Sequence, residues 1–176
     1  MRCVIVYESM FGNTERLAAD VADGLRASGA EVLVTDVRDA RPEDLSGCDL
    51  LVVGAPTHAF SLSRPGTRED AVRQGAEASR AITGVREWLA TLDAAFPSRS
   101  SRPSVAAFDT RVDKVRHLPG SAAKRAARAL RAQGFPVVDR TSFYVGDVQG
   151  PLPPDEQGRA RAWGAGLPAL AGAAAG

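Results

Sequence analysis

The chain has 176 residues, 44% of them hydrophobic, with 22 Lys and Arg against 21 Asp and Glu and a formal net charge of +1. That length suffices for one sizeable core and requires no second domain, and the balanced charge excludes a global field drawing the protein to nucleic acid or to a membrane surface. No apolar stretch approaches the roughly 20 residues of a membrane span, and the N-terminus enters an apolar run without a charged leader, so a cytoplasmic location is expected.

"RCVIVY" at residues 2–7 is a nearly continuous apolar run, the pattern of a strand buried on both faces of a parallel sheet. From Thr14 on, Leu17, Ala18, Val21, Ala22 and Leu25 recur at helical spacing, with Asn13 or Thr14 as N-cap, Glu15 in the first turn and Gly29 as stop. "EVLVTDV" (31–37) predicts a second strand and "DLLVVGA" (49–55) a third, central one. Residues 61–83 match no core element and read as an insertion or a long loop with a little helix. "GVREWLATL" (84–92) predicts a helix, "SVAAFDT" (104–110) a strand and "SAAKRAARALRAQ" (121–133) an Ala-rich helix. "FPVVD" and "SFYVG" supply a fifth strand, whole or split, and "PDEQGRARAWGAGL" a last helix before a flexible tail at 172–176. Such alternation argues for a single α/β domain over 1–176, a three-layer doubly wound sheet of five parallel strands with right-handed crossovers. Cys3 and Cys48 lie in or beside apolar runs and read as core thiols of a reducing compartment rather than a disulfide framework.

In such a sheet ligands bind at the carboxyl ends of the strands, where strand order reverses. The informative loops are therefore "ESMFGNT", "APTHAFSLSRP" and "FDTRVDKVRHLPG". The first offers the Ser9 and Thr14 hydroxyls, the Asn13 amide and backbone N–H groups around Gly12, all at the positive end of the first helix and without a lysine. An anion of limited charge suits it. A Walker loop needs a Gly-Lys-Ser/Thr ending and a dinucleotide fingerprint needs three glycines, and neither is present. No metal site is expected.

"VYESMFGNTERLA", "VVGAPTHAF" some 40 residues on, and "AAFDTR" together resemble the flavodoxin-like family over nearly the whole chain. The resemblance implies strand order 2-1-3-4-5 and FMN as cofactor. Ser9, Asn13 and Thr14, with main-chain N–H groups from Met10 through Phe11 and Gly12 to Thr14, would hold the FMN phosphate. Pro56, Thr57, His58 and Phe60 would lie along the flavin ring, with Asp109, Thr110 and Arg111 in the third loop. Phe11 stands where the family motif usually has a second hydroxyl, His58 where an aromatic is common, and the third loop has no Tyr. Losing an aromatic stack removes roughly 1 to 3 kcal/mol by analogy with base stacking. Low-potential flavodoxins are also strongly acidic, unlike this chain. Arg111 aimed at the ring's N1 and O2 would attract the reduced anion by about 4 kcal/mol at ~4 Å and an effective dielectric near 20, before desolvation, raising the flavin potential.

Two function classes follow: an FMN-dependent oxidoreductase or electron carrier working with a redox partner protein or a small acceptor such as a quinone, and a flavodoxin-fold binding or regulatory protein with weak or lost FMN binding. No catalytic residue is assigned. Each feature also has a plainer reading. The first loop can simply cap its helix, and Asp109 and Arg111 can form an internal ion pair at a strand end. Phe60 can be core and His58 a locally hydrogen-bonded side chain. Lys124, Arg125, Arg128 and Arg131 line one helix face, which reads as solvated or as a dock for an acidic partner, and Trp88 and Trp163 read as core. Arg64 and Arg68 sit in the 61–83 insertion, which suits a substrate lid, a homo-oligomer contact or a surface loop. A low-molecular-weight phosphatase needs a Cys in the first loop, and a receiver domain needs acidic residues ending strands one and three; position 9 is Ser and "VGAPTH" has no acid.

Overall fold

The computed structural model describes residues 1–96 and 98–175. Five strands, β1 (Arg2–Tyr7), β2 (Glu31–Asp36), β3 (Leu50–Pro56), β4 (Ser104–Val112) and β5 (Val137–Val145), form one all-parallel sheet in the order β2-β1-β3-β4-β5. Among the described residues, six α-helices accompany them: α1 (Asn13–Ala27), α2 (Pro65–Arg73), α3 (Val85–Leu89), α4 (Leu92–Ala95), α5 (Ala122–Ala132) and α6 (Pro154–Ala175). No helix among the described residues is long and apolar enough to cross a membrane.

The period of two along the central strands divides the interior into two cores. Val4, Val6, Leu51, Val53, Val105 and Ala107 face Trp88, Leu89, Ala126 and Leu130 of α3 and α5. Cys3, Ile5, Leu50, Val52, Ala106 and Phe108 face Leu17, Val21 and Leu25 of α1 and Ala160 and Leu167 of α6. Both cysteines are free and buried, and burial pushes the thiols up to about 11 at Cys3 and about 12 at Cys48. Helices α1 and α6 touch backbone to backbone. A Cβ at Gly24 would run into the Arg161 carbonyl, and one at Gly164 into the Val21 carbonyl.

Several elements differ from the sequence expectation. Residues 61–83 carry more helix than the little expected: they hold α2 and a 3-10 turn at Ala78–Ala81. The 84–92 helix breaks into α3 and α4. Helix α6 passes through Pro168 to Ala175, so 172–175, expected as tail, are helical, and Gly176 lies outside the described residues. Burial of Leu167 and Ala171 against the α1 side offsets the cost of an internal proline. Trp163 is only half-buried, meeting Phe108 and Phe143 edge-on and donating to Asp139 Oδ2 at 2.7 Å.

Candidate functional site

From β1 the chain goes to β2 on one side, and β3 then pairs with β1 on the other, so strand order reverses between β1 and β3. A cavity of about 310 Å3 opens at the carboxyl ends there. It is lined by Ser9, Met10, Phe11, Asn13 and Thr14 of the first loop and α1, by Pro56, Thr57 and His58 after β3, and by Thr110 of β4. The structure thus brings these sequence-predicted residues together.

The first loop is built to present backbone N–H groups. Gly12 heads α1 at φ 87°, a left-handed conformation natural only to glycine, and its N–H donates to Ser9 Oγ at 3.0 Å. Asn13 and Thr14, expected as N-caps, are instead the first helical residues, and no side chain caps the helix. Helix α5 provides the contrast. Its Ala122, Ala123 and Lys124 N–H groups donate to Thr57 Oγ1 (2.9 Å), Asp109 Oδ2 (2.7 Å) and Ser121 Oγ (3.2 Å). The start of α5 is closed by the side chains of Ser121, Thr57 and Asp109, whereas the start of α1 faces the cavity open.

Thr14 is buried, and its hydroxyl lies 3.0 Å from that of Thr110. The Asn13 amide donates to the Val148 carbonyl at 3.3 Å, tying the loop after β5 to the same corner. Apolar surface comes from Met10, Pro56, Val112, Val145 and Val148. Hydroxyls, an amide and open N–H groups with no cation in the lining fit a phosphate monoester, and the apolar portion fits a flat heterocycle, so the donor set suits FMN. Aromatic cover is sparse, limited to Phe11 and the His58 imidazole.

The other predicted residues lie elsewhere. Strand β4 runs to Val112, two residues beyond the expected end, so Asp109, Thr110 and Arg111 are strand residues on alternating faces. Thr110 faces the cavity. Asp109 points to the opposite face, where it caps α5; burial raises its carboxyl above the usual range, against hydrogen bonds from Ser121, Ala123 and Ser142. Arg111 donates to the Val115 and Leu118 carbonyls at 3.1 and 2.8 Å, fixing the loop after β4. The expectation of a guanidinium aimed at the ring therefore has no geometric support, and neither has the Asp109–Arg111 ion pair. Phe60 turns out of this cavity and stays 41% exposed.

His58 begins a tight turn closed by His58 N–H to Ser61 O (2.9 Å) and Ser61 N–H to His58 O (3.0 Å). Burial lowers the imidazole below the usual histidine value; Arg68 adds to the drop, and the Thr67 backbone and Asp70 oppose it. His58 is therefore neutral near pH 7.

The residues that sequence reading missed come mostly from 61–83. Thr67, Asp70, Ala71 and Gln74 of the α2 segment form one cavity wall, and Met10 packs on Ala71 and Ala76. Arg80 donates to the Ser9 carbonyl at 3.1 Å and to Glu15 Oε2 at 3.0 Å, fastening this segment to the first loop. Arg68 is 2% exposed and holds Ser63, Ala81 and Glu87. Beside it Glu8 is buried, accepting from the Val85 N–H at 2.9 Å, and burial raises its carboxyl. None of these had a periodic signal.

The flavodoxin family model matches residues 5–69, the stretch carrying the first loop and the loop after β3. Over the full length, an archaeal flavodoxin structure superposes with a TM-score of 0.64 at 17% identity, covering 99% of each chain. The chain has the flavodoxin-like fold. A flavodoxin of Aquifex aeolicus is 38% identical over 63 residues, 35% of this chain and 34% of the relative. An NAD(P)H dehydrogenase (quinone) of Archaeoglobus fulgidus is 33% identical over 87 residues, 35% of this chain and 46% of the relative. The matched stretches thus span less than half of either curated relative. Rubredoxin oxygen:oxidoreductase from Desulfovibrio gigas superposes with a TM-score of 0.67 at 17% identity, over 98% of this chain and 36% of that one. These structural likenesses concern the fold.

Proposed function

We propose that this flavodoxin-like chain binds FMN at the carboxyl ends of β1, β3 and β4 and serves as a redox protein, by electron transfer to a partner protein or by two-electron reduction of a small acceptor such as a quinone. The observation that carries the reading is the open N-terminus of α1 beside a closed one at α5, facing a cavity lined with hydroxyls. When bound, FMN would supply reversible two-electron chemistry at its ring. The protein's own residues do the rest. The first-turn N–H groups of α1 would orient the phosphate, the paired Thr14 and Thr110 hydroxyls would be available to it, and Met10 and Val112 would exclude water. The neutral His58 imidazole can donate a hydrogen bond without adding charge. The curated relatives' names, a flavodoxin and a quinone dehydrogenase, support redox chemistry of either kind. Two buried, deprotonation-resistant thiols suit a reducing, cytoplasmic setting.

The test is the visible spectrum of the purified protein, followed by titration with FMN. Flavin absorbance on isolation, or a saturable change on titration, supports the proposal; neither one overturns it. A second reading, a binding or regulatory protein that holds FMN weakly, draws on the mutual Thr14–Thr110 pairing and the sparse aromatic cover. Stoichiometric FMN retained through purification excludes that reading.

A further inference from the structure

Beside the first cavity, and sharing Ala59 with it, lies a second concavity of about 590 Å3. One wall is the exposed face of α5, with Lys124, Arg125 and Arg128. Arg64, just before α2, and Arg86, from α3, add two more cations, and no carboxylate lines the cleft. None of the five is in an ion pair among the described residues, whereas Arg68, Arg80, Arg102 and Arg161 all pair elsewhere. Arg86 donates only to neutral acceptors, the Ser63 and Leu62 carbonyls at 2.9 and 2.8 Å and Ser61 Oγ at 3.2 Å, which fixes its guanidinium without neutralising it. Five uncompensated charges in a chain of net charge +1 make this cleft a local anion trap, because concave low-dielectric walls focus the field.

The cleft also has an aromatic edge held at a cost. Phe60 is 41% exposed and lines it. Ala59 and Phe60 both have positive φ, 45° and 62°, in the turn closed between His58 and Ser61. That conformation is strained for a bulky residue, and such strain gathers at ligand-binding sites. Gly120 on the cleft floor makes the packing possible, since a Cβ there would lie 2.7 Å from the Phe60 carbonyl oxygen. A cluster of cations alone would suit any anion. With an exposed aromatic beside it, the geometry suits a compact molecule carrying both a phosphate chain and a flat ring.

We infer that this cleft is a second ligand site, for a nucleotide bearing at least two phosphates. Lys124, Arg125, Arg128 and Arg64 engage the phosphate chain, and Phe60 carries the base. The concave shape favours a small polyanion over the broad face of an acidic protein. The site stands apart from the FMN cradle and does not depend on it; Ala59 alone joins the two.

Titration calorimetry of the full chain with ADP, pyrophosphate and adenosine, with and without saturating FMN, tests this. ADP should bind whether or not FMN is present, more weakly as salt rises, with pyrophosphate weaker and adenosine weakest. Lys124→Gln and Arg128→Gln are exposed helix substitutions and should each weaken ADP roughly tenfold or more, the loss of a charge-assisted hydrogen bond. Phe60→Leu should weaken ADP but leave pyrophosphate unchanged. Absence of ADP binding, displacement of ADP by FMN, or an affinity unchanged in both α5 variants overturns the site. Equal affinities for ADP and pyrophosphate overturn the nucleotide assignment, and binding of polyglutamate but not ADP makes the cleft a protein-docking surface instead.

Discussion

Arg68 connects the fold to the cavity, and Arg68→Met removes its guanidinium while keeping most of its volume. The native side chain is 2% exposed. It donates from Nε to the Ala81 carbonyl (3.1 Å), from Nη1 to Ser63 Oγ (2.9 Å) and Glu87 Oε2 (3.1 Å), and from Nη2 to Glu87 Oε1 (3.3 Å). Hydrogen bonds from a charged donor are each worth about 1.5–3 kcal/mol, yet returning a buried guanidinium's desolvation cancels part of the sum. Removing one partner of a buried pair costs about 3–5 kcal/mol, and the lower end applies because the Glu87 side chain is 40% exposed and can rehydrate. The buried Glu8 carboxyl, which Arg68 lowers by Coulomb attraction, also loses its nearest favourable charge. We expect a loss of about 3 kcal/mol by urea unfolding, with Arg68→Lys recovering little because an ammonium lacks the planar fork. Since α2 forms one wall of the cavity, FMN affinity should fall as well. A loss below about 1 kcal/mol would refute the reasoning and assign the anchoring of α2 to the apolar contacts of Met10 with Ala71 and Ala76.

Gly24→Ala should destabilise the protein by about 1–3 kcal/mol or more in thermal or urea unfolding, because its methyl group meets the Arg161 backbone carbonyl rather than a flexible side chain; a neutral result would mean that α1 and α6 separate easily. The His58 imidazole, followed by NMR, should titrate below the ordinary histidine value of about 6.5. Its folded value lies below the unfolded one, so its contribution to stability is present above the unfolded pKa and is lost as pH falls through the window between the two. His58→Gln should flatten that part of the pH–stability curve, and an unchanged slope would assign it to another group.

The sheet was legible because its central strands are buried on both faces: "RCVIVY" coincides with β1, and the alternation of strand and helix led to a doubly wound parallel sheet, whereas the order β2-β1-β3-β4-β5 is the one the family resemblance implied. The first loop was legible as a turn that presents backbone N–H groups at the start of α1, but its cap was not. Asn13 and Thr14 have capping side chains, whereas Gly12 takes the cap position because the turn needs φ of 87°. The third loop misled for a reason of periodicity. Two further residues of β4 carry Arg111 into the strand with Asp109 and Thr110, and alternation then sends Thr110 to the cavity and its neighbours Asp109 and Arg111 to the other face. The 61–83 segment was illegible because its anchor is a buried arginine, and hydropathy assigns arginine to solvent until its partners are known.

The claim that the open N-terminus of α1 holds a phosphate is tested most directly by comparing FMN with riboflavin in a fluorescence titration. Several charge-assisted hydrogen bonds to the phosphate predict an affinity for FMN roughly a hundredfold or more above that for riboflavin, with most of the difference lost in Thr14→Ala. Equal affinities for the two flavins in the native protein would contradict the account.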